Sequence, residues 1–126
     1  TLVENYRTLL YGRRHFSSEE RAEQSRRLAA LQRGQITTPP KKMTMAHTAD
    51  LLTWYLEDPE DVADLRIGFF HGSEDSVFSE RITRRYAKRL QADGFHSYEG
   101  QGHLLFVTET HLFDDVHAFF GMRPQG

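Results

Sequence analysis

The sequence has 126 residues, which is the usual size of one domain. Its 16 Lys and Arg residues against 18 Asp and Glu residues give a net charge of −2, which argues against extensive nucleic-acid binding. The chain has no cysteine, which excludes disulfides, thiolate metal sites and a cysteine nucleophile. No apolar run approaches the roughly 18 residues of a membrane span. Because no signal segment opens the sequence, we expect a cytoplasmic protein.

The first half of the chain is polar and predicts helices without a strand. Leucines and a tyrosine share one side of residues 2–10, which predicts a short helix that ends at Gly12. The sequence Ser17-Ser18-Glu19-Glu20 is typical of a capping box, in which the Ser17 hydroxyl accepts from the backbone of Glu20. This box opens a second helix, which we expect to run to about residue 33 and to stop at Gly34.

A third helix is predicted after the break at Pro39 and Pro40, from about residue 47 to residue 56. From residue 65 onward the pattern changes to strand, helix, strand and helix, over residues 65–70, 80–93, 95–99 and 110–120. Gly94 is expected to be the left-handed residue that ends the first of these two helices. Two strands joined through a helix form a right-handed parallel unit, so the sequence predicts an α/β fold.

Polar loops follow both predicted strands. The first reads His71-Gly72-Ser73-Glu74-Asp75 and the second reads Gly100-Gln101-Gly102-His103. Because the carboxyl ends of parallel strands meet at one edge of a sheet, we expect Asp75 and His103 to lie close together. A carboxylate that accepts from one imidazole nitrogen leaves the other nitrogen able to take a proton from a nucleophile.

The order of these features resembles the C-terminal half of the α/β-hydrolases. That half contains an apolar strand, Gly-x-x-Asp, a helix, a short strand, Gly-His and a closing helix, and the match covers residues 61–121. The resemblance implies that Asp75 is the acid and His103 the base of a catalytic triad. It also implies a helical lid over residues 1–64 and a C-terminal hydrolase subdomain over residues 65–126.

An apolar substrate pocket follows from the same resemblance. Its expected lining residues are Met43, Met45, Leu51, Trp54, Tyr55 and Leu104. Ordinary packing between a lid and a core explains the lid residues of this set equally well.

The nucleophile of this family is a serine in a Gly-x-Ser-x-Gly turn, and the sequence contains no such pentapeptide. No aspartate in an equivalent position precedes Asp75, so the aspartate-nucleophile members of the family are not matched either. We therefore expect the C-terminal portion of a serine-type hydrolase or acyltransferase, inactive alone, acting on a small acyl substrate without a cofactor. Its partner would be a complementary N-terminal half with the nucleophile and oxyanion hole, from the same gene product or a separate chain.

Three other interpretations remain open at this point. In the first, the chain is an α/β-hydrolase-like binding or assembly module without catalysis. In the second, it binds an anion through its most basic helix, and the third is a metal site. The cations of that helix are Arg81, Arg84, Arg85, Lys88 and Arg89, although a solvated helix face explains them more simply. His71, Asp75 and His103 offer three ligands for zinc, but the hydrolase loops account for each of them, so we expect no metal.

Overall fold

The computed structural model describes residues 1–35, 40–53 and 57–121. Three helices come first, and a strand–helix–strand unit with two further helices follows. In chain order the elements are α1 (Leu2–Tyr11), α2 (Glu19–Gln32), α3 (Lys41–Thr53), β1 (Gly68–Gly72), α4 (Glu80–Arg89), β2 (Gly94–Tyr98), α5 (Leu105–Thr108) and α6 (Leu112–Phe119). Short 3₁₀ helices occupy Gly12–Phe16 and Pro59–Val62. The fold is therefore mixed α/β, as the sequence predicted.

The strands β1 and β2 form a parallel pair that α4 connects. Gly68 lies opposite Gly94 at the start of the pair, and Gly72 lies opposite Tyr98 at its end. One more bond continues the pairing beyond the strands, since the Ser73 amide donates to the Tyr98 carbonyl at 3.0 Å. Both strands thus end at the same level, and the loops that follow them start side by side.

Phe119 of α6 anchors the last helix on this sheet. Its ring is buried and meets the Phe70 ring edge-on, with 6.0 Å between the ring centroids. A Cβ atom at Gly68 would lie 2.9 Å from the ring of Phe119, and one at Gly94 would lie 3.2 Å from it. The two strands begin with glycine because the aromatic ring occupies the space that larger residues would need.

The helices α1 and α2 pack against each other and contact the loop that follows β2. Leu10 and Ala29 are fully buried in this pair, and Arg7 Nε donates to Ser25 Oγ at 3.0 Å. At the end of α1, the carbonyl of Leu10 accepts from the Gly102 amide at 2.9 Å. The first helices therefore contact the loop that carries His103.

Several predicted boundaries were wrong by a few residues. The capping residue of α2 is Ser18, whose hydroxyl accepts from the Arg21 amide, rather than Ser17. The third helix begins at Lys41 and not near residue 47, since the carbonyl of Pro40 accepts from the amides of Met43 and Thr44 and so starts the helical hydrogen bonding there. The end predicted for this helix, at residues 54–56, lies outside the described residues.

The first strand was predicted too early in the chain. It includes His71 and Gly72, which we expected in a loop, because these residues pair with Ser97 and Tyr98. Gly94 is not a helix cap, since it is the first residue of β2. The left-handed backbone lies at Gln91 instead, with a φ of 52°. Within the described part of the chain, no helix combines the length and the apolar character that crossing a membrane requires.

Candidate active site

Asp75 lies in the loop after β1, where the main chain holds its carboxylate. Oδ1 accepts from the amide of Val77 at 2.7 Å and from the amide of Phe78 at 2.9 Å. The amide of Asp75 itself donates to the Gly72 carbonyl at 3.1 Å. Its side chain is only 5% exposed. These bonds fix the carboxylate and leave Oδ2 for a further donor.

That donor is His103, which follows β2. Its Nδ1 lies 3.0 Å from Asp75 Oδ2, although the two residues are 28 positions apart in the sequence. Because a carboxylate only accepts, the proton of this bond belongs to Nδ1. The imidazole is one-third exposed, and its Nε2 makes no hydrogen bond to any residue that the structure describes. The structure therefore brings the two predicted residues together and leaves an accepting nitrogen at the surface.

Phe78 contacts both His103 and His71. Its ring centroid lies 5.6 Å from that of His103, and its carbonyl lies 3.0 Å from His71 Nε2. Since a carbonyl only accepts, the buried His71 donates from Nε2 and holds the loop of Asp75. Across residues 1–35, 40–53 and 57–121, no group of three or more His, Asp or Glu side chains is arranged to hold a metal ion.

Glycines allow the two loops to approach each other closely. A Cβ atom at Gly72 would overlap the carbonyl of Gly102, and one at Gly102 would overlap the carbonyl of Leu9. Gly100 has a different reason to be glycine, since its φ of 72° is left-handed. Two of these three glycines are therefore required by close backbone contact rather than by backbone conformation.

An open pocket of about 460 Å³ lies beside Asp75. It is lined by the loop residues 73–76, by Ser79 and Glu80, and by the arginines Arg13 and Arg81. The pocket is therefore polar, and of the apolar residues proposed for substrate binding, those that the structure describes (Met43, Met45 and Leu104) do not line it.

Those apolar residues lie elsewhere or outside the described part. Met43 and Met45 are exposed on α3, at 50% and 61% of their surface. Leu104 directly follows His103 and is half-buried. Trp54 and Tyr55 lie outside the described residues, as does the side chain of Leu51.

The seven serines all lie in the described residues, and none of them forms a hydrogen bond with His103 there. Ser73 lies two residues before Asp75 and accepts instead from the Gly100 amide at 2.7 Å. Ser18 and Ser79 cap helices, and Ser25 is buried against Arg7. The described residues thus hold an acid and a base without a nucleophile bonded to them.

The most basic helix, α4, presents its cations mainly to solvent. Arg84 lies over the ring of Phe95, at 4.2 Å from the ring centroid, and 3.8 Å from the carboxylate of Glu80. Arg81, Arg85, Lys88 and Arg89 are exposed.

The structure also shows contacts to the His103 loop that sequence reasoning missed. The carbonyl of Leu9 accepts from the His103 amide at 2.7 Å, and the Arg21 guanidinium donates to the carbonyl of Gly100 at 2.9 Å. A main-chain acceptor has no side-chain signature, and Arg21 lies in a helix whose polar composition is typical of a solvated surface.

Comparison of the chain with protein-family models, with curated proteins and with solved structures gave no match.

Proposed function

We propose that this chain supplies the acid and the base of a serine-type hydrolase. The observation that carries the proposal is the Asp75–His103 pair: a buried carboxylate, fixed by two backbone amides, accepts from His103 Nδ1 at 3.0 Å. His103 Nε2 remains open to a reacting group at the surface. This combination of a fixed acceptor and an exposed imidazole nitrogen is what general-base activation of a hydroxyl requires.

In each half of the proposed reaction His103 acts twice. Nε2 first takes the proton of a serine hydroxyl as that oxygen attacks the acyl carbon of the substrate, and it later gives this proton to the leaving group as the bond to that group breaks. Water then attacks the acyl-serine with the same two proton transfers, which releases the acid and restores the serine hydroxyl. Asp75 stays ionised throughout and stabilises the imidazolium that forms between the two transfers. Esters, thioesters and amides are suitable acyl substrates, and transfer of the acyl group to another acceptor uses the same two residues.

The serine nucleophile and the oxyanion hole would lie on a complementary polypeptide, in the same gene product or in a separate chain. Two observations support such a partner. The described sheet has only two strands, whereas sheets most often have about four to six, and β1 has a second edge that pairs with no described strand. Large apolar side chains after β2 are also more than half exposed, namely Phe106 on α5, Phe113 on α6 and Phe120 directly after α6.

The proposal is tested by isolating the tagged chain from its source cells with whatever polypeptide carries the nucleophile. Hydrolysis of p-nitrophenyl butyrate and labelling by a fluorophosphonate probe are then followed. We expect His103→Ala to lower kcat by about 10³-fold or more, because the serine loses its general base. The exposed His111 provides a control, since His111→Ala should retain the activity.

Hydrolysis that survives His103→Ala would contradict the proposal. A partner that binds the chain but carries no fluorophosphonate-reactive serine would favour a non-catalytic binding or assembly module instead.

A further inference from the structure

Arg21 connects the second helix to the turn that precedes His103. Its Nη1 donates to the carbonyl of Gly100 at 2.9 Å, and its Nη2 donates to the carbonyl of Glu99 at 3.3 Å. The side chain leaves the first turn of α2, where the Ser18 hydroxyl caps the Arg21 amide. One guanidinium thus binds two consecutive carbonyls through two different nitrogens, a geometry that the rigid planar fork of arginine favours.

The guanidinium has a defined place in the structure. It lies over the ring of Tyr11, 5.5 Å from the ring centroid, and Tyr11 is buried, with its hydroxyl donating to Gln24 Oε1 at 2.6 Å. At Gly100 a Cβ atom would overlap Arg21 Nη1. The left-handed glycine and the arginine therefore fit each other, and a side chain at position 100 would displace the guanidinium.

The turn that Arg21 binds leads directly to the imidazole. Its Gly100 amide donates to Ser73 Oγ in the Asp75 loop, and the amides of Gly102 and His103 donate to carbonyls at the end of α1. Removal of the guanidinium would leave two carbonyls of this turn without their charged donor. The turn would then move relative to Asp75, and a displacement of about 1 Å at a catalytic group lowers rates by up to about 100-fold.

We infer that Arg21 is a positioning residue for His103, so that the first two helices align the general base. The inference rests on the proposed function for its catalytic meaning. Its structural content, that Arg21 holds the 99–103 turn, is measurable without a substrate.

The test compares Arg21→Gln, Arg21→Lys and the control Arg27→Gln, which changes an exposed arginine of the same helix. Amide hydrogen exchange and the imidazole ¹⁵N spectrum are recorded on the full chain, and kcat and KM on the hydrolase assembly. For Arg21→Gln we expect exchange at Gly102 and His103 to accelerate about 10- to 100-fold, which is the effect of losing one hydrogen bond to a charged group. The fraction of His103 protonated at Nδ1 should fall, and kcat should fall about tenfold or more with KM within about twofold.

Arg21→Lys should lie between the wild type and Arg21→Gln, and Arg27→Gln should behave as the wild type. Unchanged exchange and tautomer in Arg21→Gln would overturn the inference. So would an equal acceleration of exchange throughout α1 and α2 with an unchanged kcat, because Arg21 would then serve folding alone. If the assembly has no hydrolase activity but the exchange and the tautomer change as expected, the proposed function fails while the positioning of His103 by Arg21 stands.

Discussion

Replacing Asp75 by asparagine should change the tautomer of His103 while leaving the loop folded. The amide side chain keeps one acceptor oxygen, and that oxygen can retain both bonds from the amides of Val77 and Phe78. The new Nδ2 donor then faces His103 Nδ1 across the 3.0 Å contact. Because two donors cannot share a hydrogen bond, the imidazole proton moves to Nε2, the nitrogen that must accept a proton from the nucleophile.

Asp75→Asn should affect the free energy of unfolding and kcat for different reasons and by different amounts. Two hydrogen bonds to a carboxylate become hydrogen bonds to a neutral oxygen. The contribution of each to the free energy of unfolding then falls from about 1.5–3 to about 0.5–1.5 kcal/mol. Val77 and Phe78 are exposed enough for water to replace part of this loss. We therefore expect Asp75→Asn to lower the free energy of unfolding by about 1–2 kcal/mol. The wrong tautomer should lower kcat by about 10⁴-fold in the hydrolase assembly.

Three measurements distinguish these effects. Urea unfolding gives the stability, the imidazole ¹⁵N shifts give the tautomer, and ester hydrolysis gives kcat. Asp114→Asn, at an exposed position of α6, is the control that should change none of them. Asp75→Ala should be less stable than Asp75→Asn, because both amides lose their acceptor. If Asp75→Asn keeps the Nδ1-protonated form of His103, the argument that Asp75 sets the tautomer is wrong.

Two further predictions concern Phe119, which packs on the sheet, and Tyr98, the last residue of β2. Phe119→Ala should lower the free energy of unfolding by about 3–4 kcal/mol, because the buried ring of Phe119 packs on Gly68. Phe120 is half-exposed, so Phe120→Ala should lower it by less than about 1 kcal/mol. Equal losses in urea unfolding would contradict this packing. Burial, reinforced by the hydrogen bond to Asp115, raises the pKa of the Tyr98 phenol above its usual range. The folded state then holds this proton longer than the unfolded chain, so stability should fall as pH rises above about 10, and Tyr98→Phe should flatten that decline in urea midpoints measured at several pH values.

The sequence predicted those features that depend on local patterns and on topology. Hydrophobic periodicity indicated α1, α4 and α6, a capping-box sequence indicated α2, and the order of strand, helix and strand indicated the parallel pair. The proximity of Asp75 and His103 follows from the same rule, since each residue comes shortly after a strand and parallel strands end at one edge of the sheet. No distance had to be known for that prediction, because the topology alone determines it.

What the sequence did not predict depends on partners distant in the chain. His71 and Gly72 resemble a loop, and they belong to β1 only because Ser97 and Tyr98 lie beside them in the register. Arg21 resembles any arginine of a polar helix until the left-handed turn at Gly100 approaches it. Such contacts are set by how elements pack, and no local pattern of residues encodes them.

The acid and the base are connected by main chain as well as by their side chains. The Ser73 amide donates to the Tyr98 carbonyl at 3.0 Å, and the Glu74 amide donates to the Gln101 carbonyl at 2.9 Å. These bonds connect the loop of Asp75 directly to β2 and to the turn before His103, so they hold the two residues together along with the contacts that α1 and α2 make to that turn. We therefore expect the pair to be preformed in this chain before any nucleophile reaches it. A polypeptide that brings a serine to His103 Nε2 would then complete the site without rearranging the residues that activate it.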